Sequence, residues 1–471
     1  MYNKNIFLDC SDEKKKSIQL FCEEYKNFLS KGKTERRCVQ LSKKLAEDNG
    51  FVYLDDVIKS GKKIKAGDKL YSINKNKNIV LFKIGTKPLV EGMRVLGAHI
   101  DSPRLDAKQN PIYEKESISL LDTHYYGGIK KYQWVTIPLA IHGVVITKEG
   151  KSIDINIGED ANDPVVGISD LLIHLAADQM QKTAAKVIEG EDLDVTLGSM
   201  PLEGAEKNAV KLNTLRILKD KYGIEEEDLV SAELEIVPAG PARDYGLDRS
   251  MVASYGHDDR VCAFTSLKAI LDVKEVEETS VCILVDKEEI GSVGATGAQS
   301  MYFEDVIAEL LNAMGYTSYL DLKRTMTNAK MLSSDVSAGL DPLYPQVCEG
   351  KNAARFNRGI VINKYTGRAG KSGSNDANPE YMAWIRKVFD GNNIHYQTSE
   401  LGRVDQGGGG TIAYILGNYN MNVIDAGVSV FNMHAPMEIV SKADVYEAYL
   451  AYKAFLSKRS EERRVGKECR S

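Results

Sequence analysis

Five short segments of this chain carry side chains able to hold a metal ion. They are GAHIDSP with His99 and Asp101, YGHDDR with His257, Asp258 and Asp259, DKEEIGS with Glu288 and Glu289, LSSDVSAG with Asp335, and FNMHAP with His434. One acid at the end of an apolar run is ordinarily a solvated turn residue or a helix cap. Paired acids after an apolar strand, together with histidines set before small residues, point to a shared task. A hydrolytic two-metal site needs imidazole and carboxylate ligands, with a position left for water. It needs a bridging carboxylate that holds the ions about 3.5–4 Å apart, so that a shared water loses its proton near neutral pH. A further carboxylate must take that proton and hand it to the leaving amine. Each ligating histidine also needs a partner on its other ring nitrogen. The five segments supply all these parts, which implies two divalent ions per subunit. Zinc is the first expectation, and manganese or cobalt suit the same oxygen and nitrogen donors. Spacing leaves open whether Asp258 or Asp259 bridges.

The elements that must position these groups are legible in outline. Helical apolar spacing covers residues 12 to 48, with Gly50 as a stop. KLYSINKNKNIVLFKIG reads as a hairpin, and MRVLGAHID as a buried strand that delivers His99 and Asp101 at its carboxyl end. Residues 102 to 244 are turn-punctuated and β-rich, with one or two helices, and read as an inserted domain. Beyond 244, strands such as SVCILVD and NVIDAG alternate with helices beginning at DDRVCAF, YFEDVIAELL, NPEYMAW and SKADVYEAYL. Asn378 is the expected cap of the third, with Pro379 at its first position. Alternation of this kind predicts an α/β fold, a mostly parallel sheet flanked by helices, with the β-rich domain inserted into it. The catalytic domain is thus expected as 1–101 and 245–458. Chemistry in such sheets collects beyond the carboxyl ends of the strands. Extended chain at Glu288 and Glu289 would send the two side chains to opposite faces.

Bulk properties narrow the function classes. The chain has 471 residues, 43% of them hydrophobic and 27% charged, the composition of a soluble globular protein. The formal charge of −6 argues against a nucleic-acid partner. No stretch is apolar for long enough to span a bilayer, and the start lacks the apolar core of a signal peptide. Seven scattered cysteines, never spaced as C-x-x-C, predict reduced thiols and a cytoplasmic location. Residues 459–471 read as a non-native tail.

The segments GAHIDSPRLD, VPAGPARDYGLDRSMVASYGHDDRVCAF, DKEEIGSVGATG, LSSDVSAG and NMHAPMEI resemble, in order, the aspartyl aminopeptidase / aminopeptidase I family of metallopeptidases. The resemblance runs from about residue 20 to 456. It implies that His99 and His434 are terminal ligands, one on each metal, and that Asp258 is the bridge. Glu289 would bind one ion and Asp335 the other. Glu288 would be the general base and acid, and Asp101 would orient His99. It also implies peptide substrates cut after an acidic or neutral first residue. A homo-oligomer is implied as well, commonly a tetrahedral dodecamer in the family, with the inserted domain making subunit contacts. Lys364 in INKYTGR becomes a candidate for binding substrate. Where the eukaryotic pattern reads PHLAIHL this chain reads SDLLIHL, with Asp170 in place of the first histidine.

Other residues have local readings. In the glycine run VDQGGGGTIA, bare amides around Gly408 are candidates for approaching the substrate; the spacing is not that of a dinucleotide fingerprint. His124 is a candidate for a substrate-side or inter-subunit contact. His142 and His174 sit in apolar runs and are expected as satisfied core histidines, His257 as a packing residue, and Arg260 as an ion-pair partner. Two rival functions share these residues: a deacylase of acyl amino acids on the same scaffold, and an assembly protein with a retired site. Keeping such a costly cluster of like charges argues against the second.

Overall fold

The computed structural model describes residues 4–457. At its centre lies a nine-stranded sheet. Its spatial order is Val52–Tyr53, Lys69–Asn74, Asn78–Lys83, Thr279–Val285, Met93–His99, Lys330–Ser333, Asn422–Gly427, Ile360–Asn363 and Tyr396–Thr398. The run from Thr279–Val285 to Asn422–Gly427 is parallel, with an antiparallel neighbour on each side. Every residue of Met93–His99 and Thr279–Val285 is buried, as parallel strands covered on both faces must be. Side chains alternate between the faces. Leu96, Ala98, Cys282 and Leu284 enter one core, and Met93, Val95, Val281 and Ile283 enter another. Helices Asp12–Lys31, His257–Asp272 and Lys442–Leu456 close the first core; Tyr302–Ala313 and Tyr319–Thr327 close the second. The chain is α/β, as its alternating pattern predicts.

Helix starts follow from local chemistry. The Ser11 and Ser441 hydroxyls accept from the amides of Lys14 and Asp444, at 3.2 and 3.3 Å, which satisfies donors that a first turn leaves free. Asn378 stands before Pro379–Gly391, but its side chain makes no capping bond. There the fixed φ of Pro379 is what prepares the first turn.

Residues 104–238 build a second, wholly antiparallel sheet. Its order is Ser152–Ile157, Leu139–Ile146, Ala232–Pro238, Arg104–Lys115, Ile118–Tyr126 and Val195–Gly198. It has its own core around Trp134, Leu139 and Ile236, against which helix Ala209–Tyr222 packs. The expected break at 244 falls inside Arg243–Tyr245, which already belongs to a third sheet. That sheet runs Arg243–Tyr245, Met251–Ser254, Glu438–Ser441, Ser429–Phe431 and Ser337–Ala338. Its strands have two to four residues, too few for a period to register.

Two expectations about basic side chains fail. His142 is buried and meets Glu159 at 2.9 Å. His174, by contrast, is exposed on the short turn Ile173–Leu175, beside the exposed Leu171, Leu172 and Leu175. The apolar run around it lies on the surface of the single chain instead of in its core. Arg260 is buried but meets no acid; it donates to the carbonyls of Ile100 and Lys33 at 3.2 and 3.0 Å. Backbone oxygens take two nitrogens of this buried guanidinium, and its Nη1 has no hydrogen-bond partner. Among the described residues no helix is long and apolar enough to cross a membrane, and the cysteines are free. The proposed tail, 459–471, lies outside the described residues.

Candidate metal centre

The five segments meet where the parallel strands end. His99 closes Met93–His99, and Asp335 follows Lys330–Ser333. Glu288 and Glu289 follow Thr279–Val285 on the single turn Glu288–Ile290, not on extended chain. The turn is forced at once after the strand, because Lys287 already has φ +69. The third sheet sets the rest. Its strand Met251–Ser254 leads through Gly256 (φ +76) to Asp258. A Cβ at Gly256 would stand 2.0 Å from a nitrogen of Arg260, so a side chain has no room there. His434 lies in the loop from Ser429–Phe431 to Glu438–Ser441, itself at φ +67. That conformation is uncommon for a residue with a side chain.

Asp258 stands between the two histidines. Its Oδ1 is 3.2 Å from His99 Nε2, and its Oδ2 is 3.2 Å from His434 Nε2. Glu289 Oε2 is 3.4 Å from the same nitrogen of His434. Asp335 and Asp259 group with His99, and so do Asp258 and Glu289, the ligand atoms of each group lying within 4.8 Å of one another. Each imidazole is held from behind through Nδ1: His99 by Asp101, whose carbonyl is 3.0 Å and Oδ1 3.2 Å away, and His434 by the carbonyl of Gly128 at 2.8 Å. Both therefore turn Nε2 toward the acids.

Three residues absent from the sequence reading tie the cluster together. Glu438 accepts from the amides of Asp258 at 2.9 Å and His434 at 2.7 Å, pinning two loops with one carboxylate. Tyr126 donates from its hydroxyl to Asp101 at 2.8 Å. Gly128 supplies the carbonyl behind His434. Glu438 stands four residues after His434, and Tyr126 and Gly128 lie in a Tyr-Gly-Gly run at a strand end, but neither pattern by itself marks these roles.

The electrostatics fit a cation. The cavity over the cluster has about 420 Å³ and is lined by His99, Asp258, Glu288, Glu289, Asp335 and His434, with no lysine or arginine along its wall among the described residues. Burial pushes Glu288 up to about 7, and the charges of Asp101 and Asp258 add to it. Burial likewise holds Glu289, Asp335 and Asp259 well above the carboxylate range. Asp258 Oδ1, Asp259 Oδ1 and Glu289 Oε1 are buried without a hydrogen-bond partner. Unpaired buried carboxylates are expensive, and a divalent ion is the kind of partner that would offset them. The donor set of imidazole nitrogens and carboxylate oxygens suits zinc.

His257 is not part of this set. Its Nδ1 meets the Tyr25 hydroxyl at 2.6 Å and its Nε2 the Val252 carbonyl at 3.1 Å, and burial lowers it to about 3. Gly408 lines the cavity. Lys364 is tied to Asp376 at 2.8 Å, and its side chain does not line the cavity. His124 is exposed, with Nδ1 at 2.7 Å from the Tyr125 carbonyl.

Residues 28–456 match the family model described as aminopeptidase I zinc metalloprotease (M18). The chain belongs to that family. It is a metalloaminopeptidase, a peptide hydrolase. It is 55% identical over 455 residues to the Clostridium acetobutylicum protein named "Probable M18 family aminopeptidase 1", covering 96% of this chain and 98% of the relative. The crystal structure of aminopeptidase I from the same organism superposes with a TM-score of 0.90 at 54% identity, over 97% of this chain and 99% of that one. The M18 aminopeptidase of Thermotoga maritima gives 0.93 at 42% identity, over 98% and 100%. The S. cerevisiae mApe1 dodecamer shares the fold, with a TM-score of 0.74 at 21% identity over 95% and 98%.

Proposed function

We propose that the chain hydrolyses the first peptide bond of its substrates with two divalent ions held at this cluster, zinc foremost, with manganese or cobalt fitting the same donors. His99 and Asp335 would hold one ion, His434 and Glu289 the other, and Asp258 would bridge them. The position of Asp258, one oxygen toward each histidine, carries this reading. When bound, the ions would polarise the scissile carbonyl and acidify water. Glu288 takes the proton of the attacking water and returns it to the departing amine. Asp101 accepts from the amides of both glutamates, at 3.1 and 3.2 Å, and so keeps Glu288 aimed.

Gly408 is the proposed backbone contact to substrate. A Cβ there would fall 1.9 Å from the Gly367 carbonyl, so the loop can approach closely only as glycine. Lys364 would reach substrate by leaving Asp376, and His124 across a subunit boundary. Among the described residues the remaining cavity wall includes Val336, Leu401, Tyr414 and Met433 and no lysine or arginine, which favours a neutral first residue over an acidic one. The exposed run at Leu171, Leu172, Ile173 and Leu175 supports a homo-oligomer in which the inserted domain makes the contacts; a dodecamer is the assembly we propose. Free cysteines support a reducing compartment, the cytoplasm.

The test is a panel of aminoacyl and N-acyl substrates assayed after chelation and re-addition of each metal, with bound ions counted. Two ions and turnover of neutral aminoacyl substrates are expected. Preferential cleavage of N-acyl substrates would support the deacylase reading instead, and absence of ion uptake would end both.

A further inference from the structure

The strand Ile118–Tyr126 belongs to the inserted sheet, yet the three residues Tyr126, Gly127 and Gly128 reach the metal-competent cluster at three points. The Tyr126 hydroxyl donates to Asp101 Oδ2, and Asp101 in turn holds His99 and the amides of Glu288 and Glu289. Gly127, at φ +75, passes so close to Glu289 that an added Cβ would lie 3.3 Å from its Cβ and 3.4 Å from its Oε2. The Gly128 carbonyl accepts from His434 Nδ1. The Tyr126 ring is itself clamped: the Arg104 guanidinium lies 3.9 Å from its centroid, and Arg104 is held by Glu35 and Asp106.

We propose that Tyr126–Gly128 is a positioning element, through which the inserted sheet sets the tautomer and aim of both histidines and the place of the Glu288–Glu289 turn. Asp101 alone would account for His99 but leaves His434 without an orienting partner. The inserted segment supplies that partner and also fixes Asp101. A carboxylate with three hydrogen-bond donors and an imidazole 3.2 Å away has little freedom to rotate, and of the three donors the Tyr126 hydroxyl is the one that comes from the inserted sheet. Partners behind metal-ligating groups commonly change metal affinity by 10–100-fold when removed. Docking of the inserted sheet is therefore a condition for a well-formed centre, not only for subunit contacts.

This inference rests on the proposed ligand set, and the experiment separates the two. Divalent-ion binding is measured by calorimetry on the full chain and on Tyr126→Phe, which keeps the ring on Arg104 and removes only the hydroxyl. The cobalt-substituted proteins are compared by visible absorption, and kcat and KM are measured with zinc restored. Tyr113→Phe is the control, since it removes a tyrosine–aspartate hydrogen bond, to Asp194, elsewhere in the same sheet. Tyr126→Phe is expected to bind ions at least tenfold more weakly, to shift the cobalt bands and to lose kcat with KM within about twofold. Tyr113→Phe should match the parent. Gly127→Ala, which crowds Glu289, should weaken binding in the same direction. Parental affinity, spectrum and kcat in Tyr126→Phe would overturn the positioning role while leaving the ligand set intact. Failure of the parent itself to bind ions would instead overturn the ligand set.

Discussion

Two groups of crowded carboxylates stand in this protein, and the chain places lysine and arginine among only one of them. Glu35, Glu233 and Glu235 converge as tightly as the acids around His99. Among them the chain places its own cations: Lys77 at 2.8 Å from both Glu35 and Glu233, Arg36 at 2.7 Å from Glu233, and Arg104 at 3.2 Å from Glu35 and 3.3 Å from Glu235. Burial would raise the Glu35 carboxyl, yet the Arg104 and Lys77 charges outweigh it and hold it well below the usual range. Among the described residues no lysine or arginine lines the cavity over Asp258. Buried oxygens without a hydrogen-bond partner occur in both groups, at Glu235 as well as at Asp258, Asp259 and Glu289, so the difference lies in the cations. A crowd of acids alone therefore does not mark an ion site. The mark is a crowd that the polypeptide leaves unneutralised, with imidazoles turned toward it.

That contrast can be broken or sharpened by substitution. The largest change is expected from Asp258→Asn, which should reduce bound ions below two per chain and bring peptidase activity to background; retention of both ions would show that another acid bridges. Glu288→Gln should keep both ions and lose about 10²–10⁴-fold in kcat, so near-normal turnover would remove Glu288 from the proton path. In the self-neutralised group, Glu35→Gln leaves Arg104 and Lys77 short of a buried partner and should cost about 3–5 kcal/mol in urea unfolding, with ion content unchanged. The Glu35 carboxyl is depressed in the folded state. Its contribution should be complete above the ordinary value of 4.5 and lost as pH falls below it. A stability difference between parent and Glu35→Gln that persists undiminished at pH 3 would contradict this. The smallest effect on ion content is expected at His257→Asn, whose ring nitrogens are already engaged: the count should stay at two, and a lost ion would make His257 a ligand.

Much of the site was legible because metal chemistry restricts residue types. His99, Glu288, Glu289, Asp335 and His434 each follow an apolar strand or precede small residues, and strand periodicity located them at one end of a sheet. The supporting parts were not legible, for identifiable reasons. Gly128 acts through a carbonyl oxygen, which every residue possesses, so its type carries no trace of the role. Glu438 binds two backbone amides far apart in sequence from one another. The third sheet is made of strands too short to show alternation, although it sets Asp258, Asp335 and His434. His174 lies outside the core where the sequence places it, because an apolar run reads the same whether it is buried or, as here, on the surface of the single chain. Conversely, the middle of the nine-stranded sheet was readable because strands such as Met93–His99 and Thr279–Val285 are buried and mostly apolar.

The third sheet has a consequence for how the enzyme comes into being. It joins Met251–Ser254 to Glu438–Ser441, and the loop bearing His434 cannot be anchored until that later strand exists. His99 thus leaves the ribosome long before His434, with Asp258, Glu289 and Asp335 following between them. On the proposed ligand set, the second imidazole is supplied only after residue 434 has been translated.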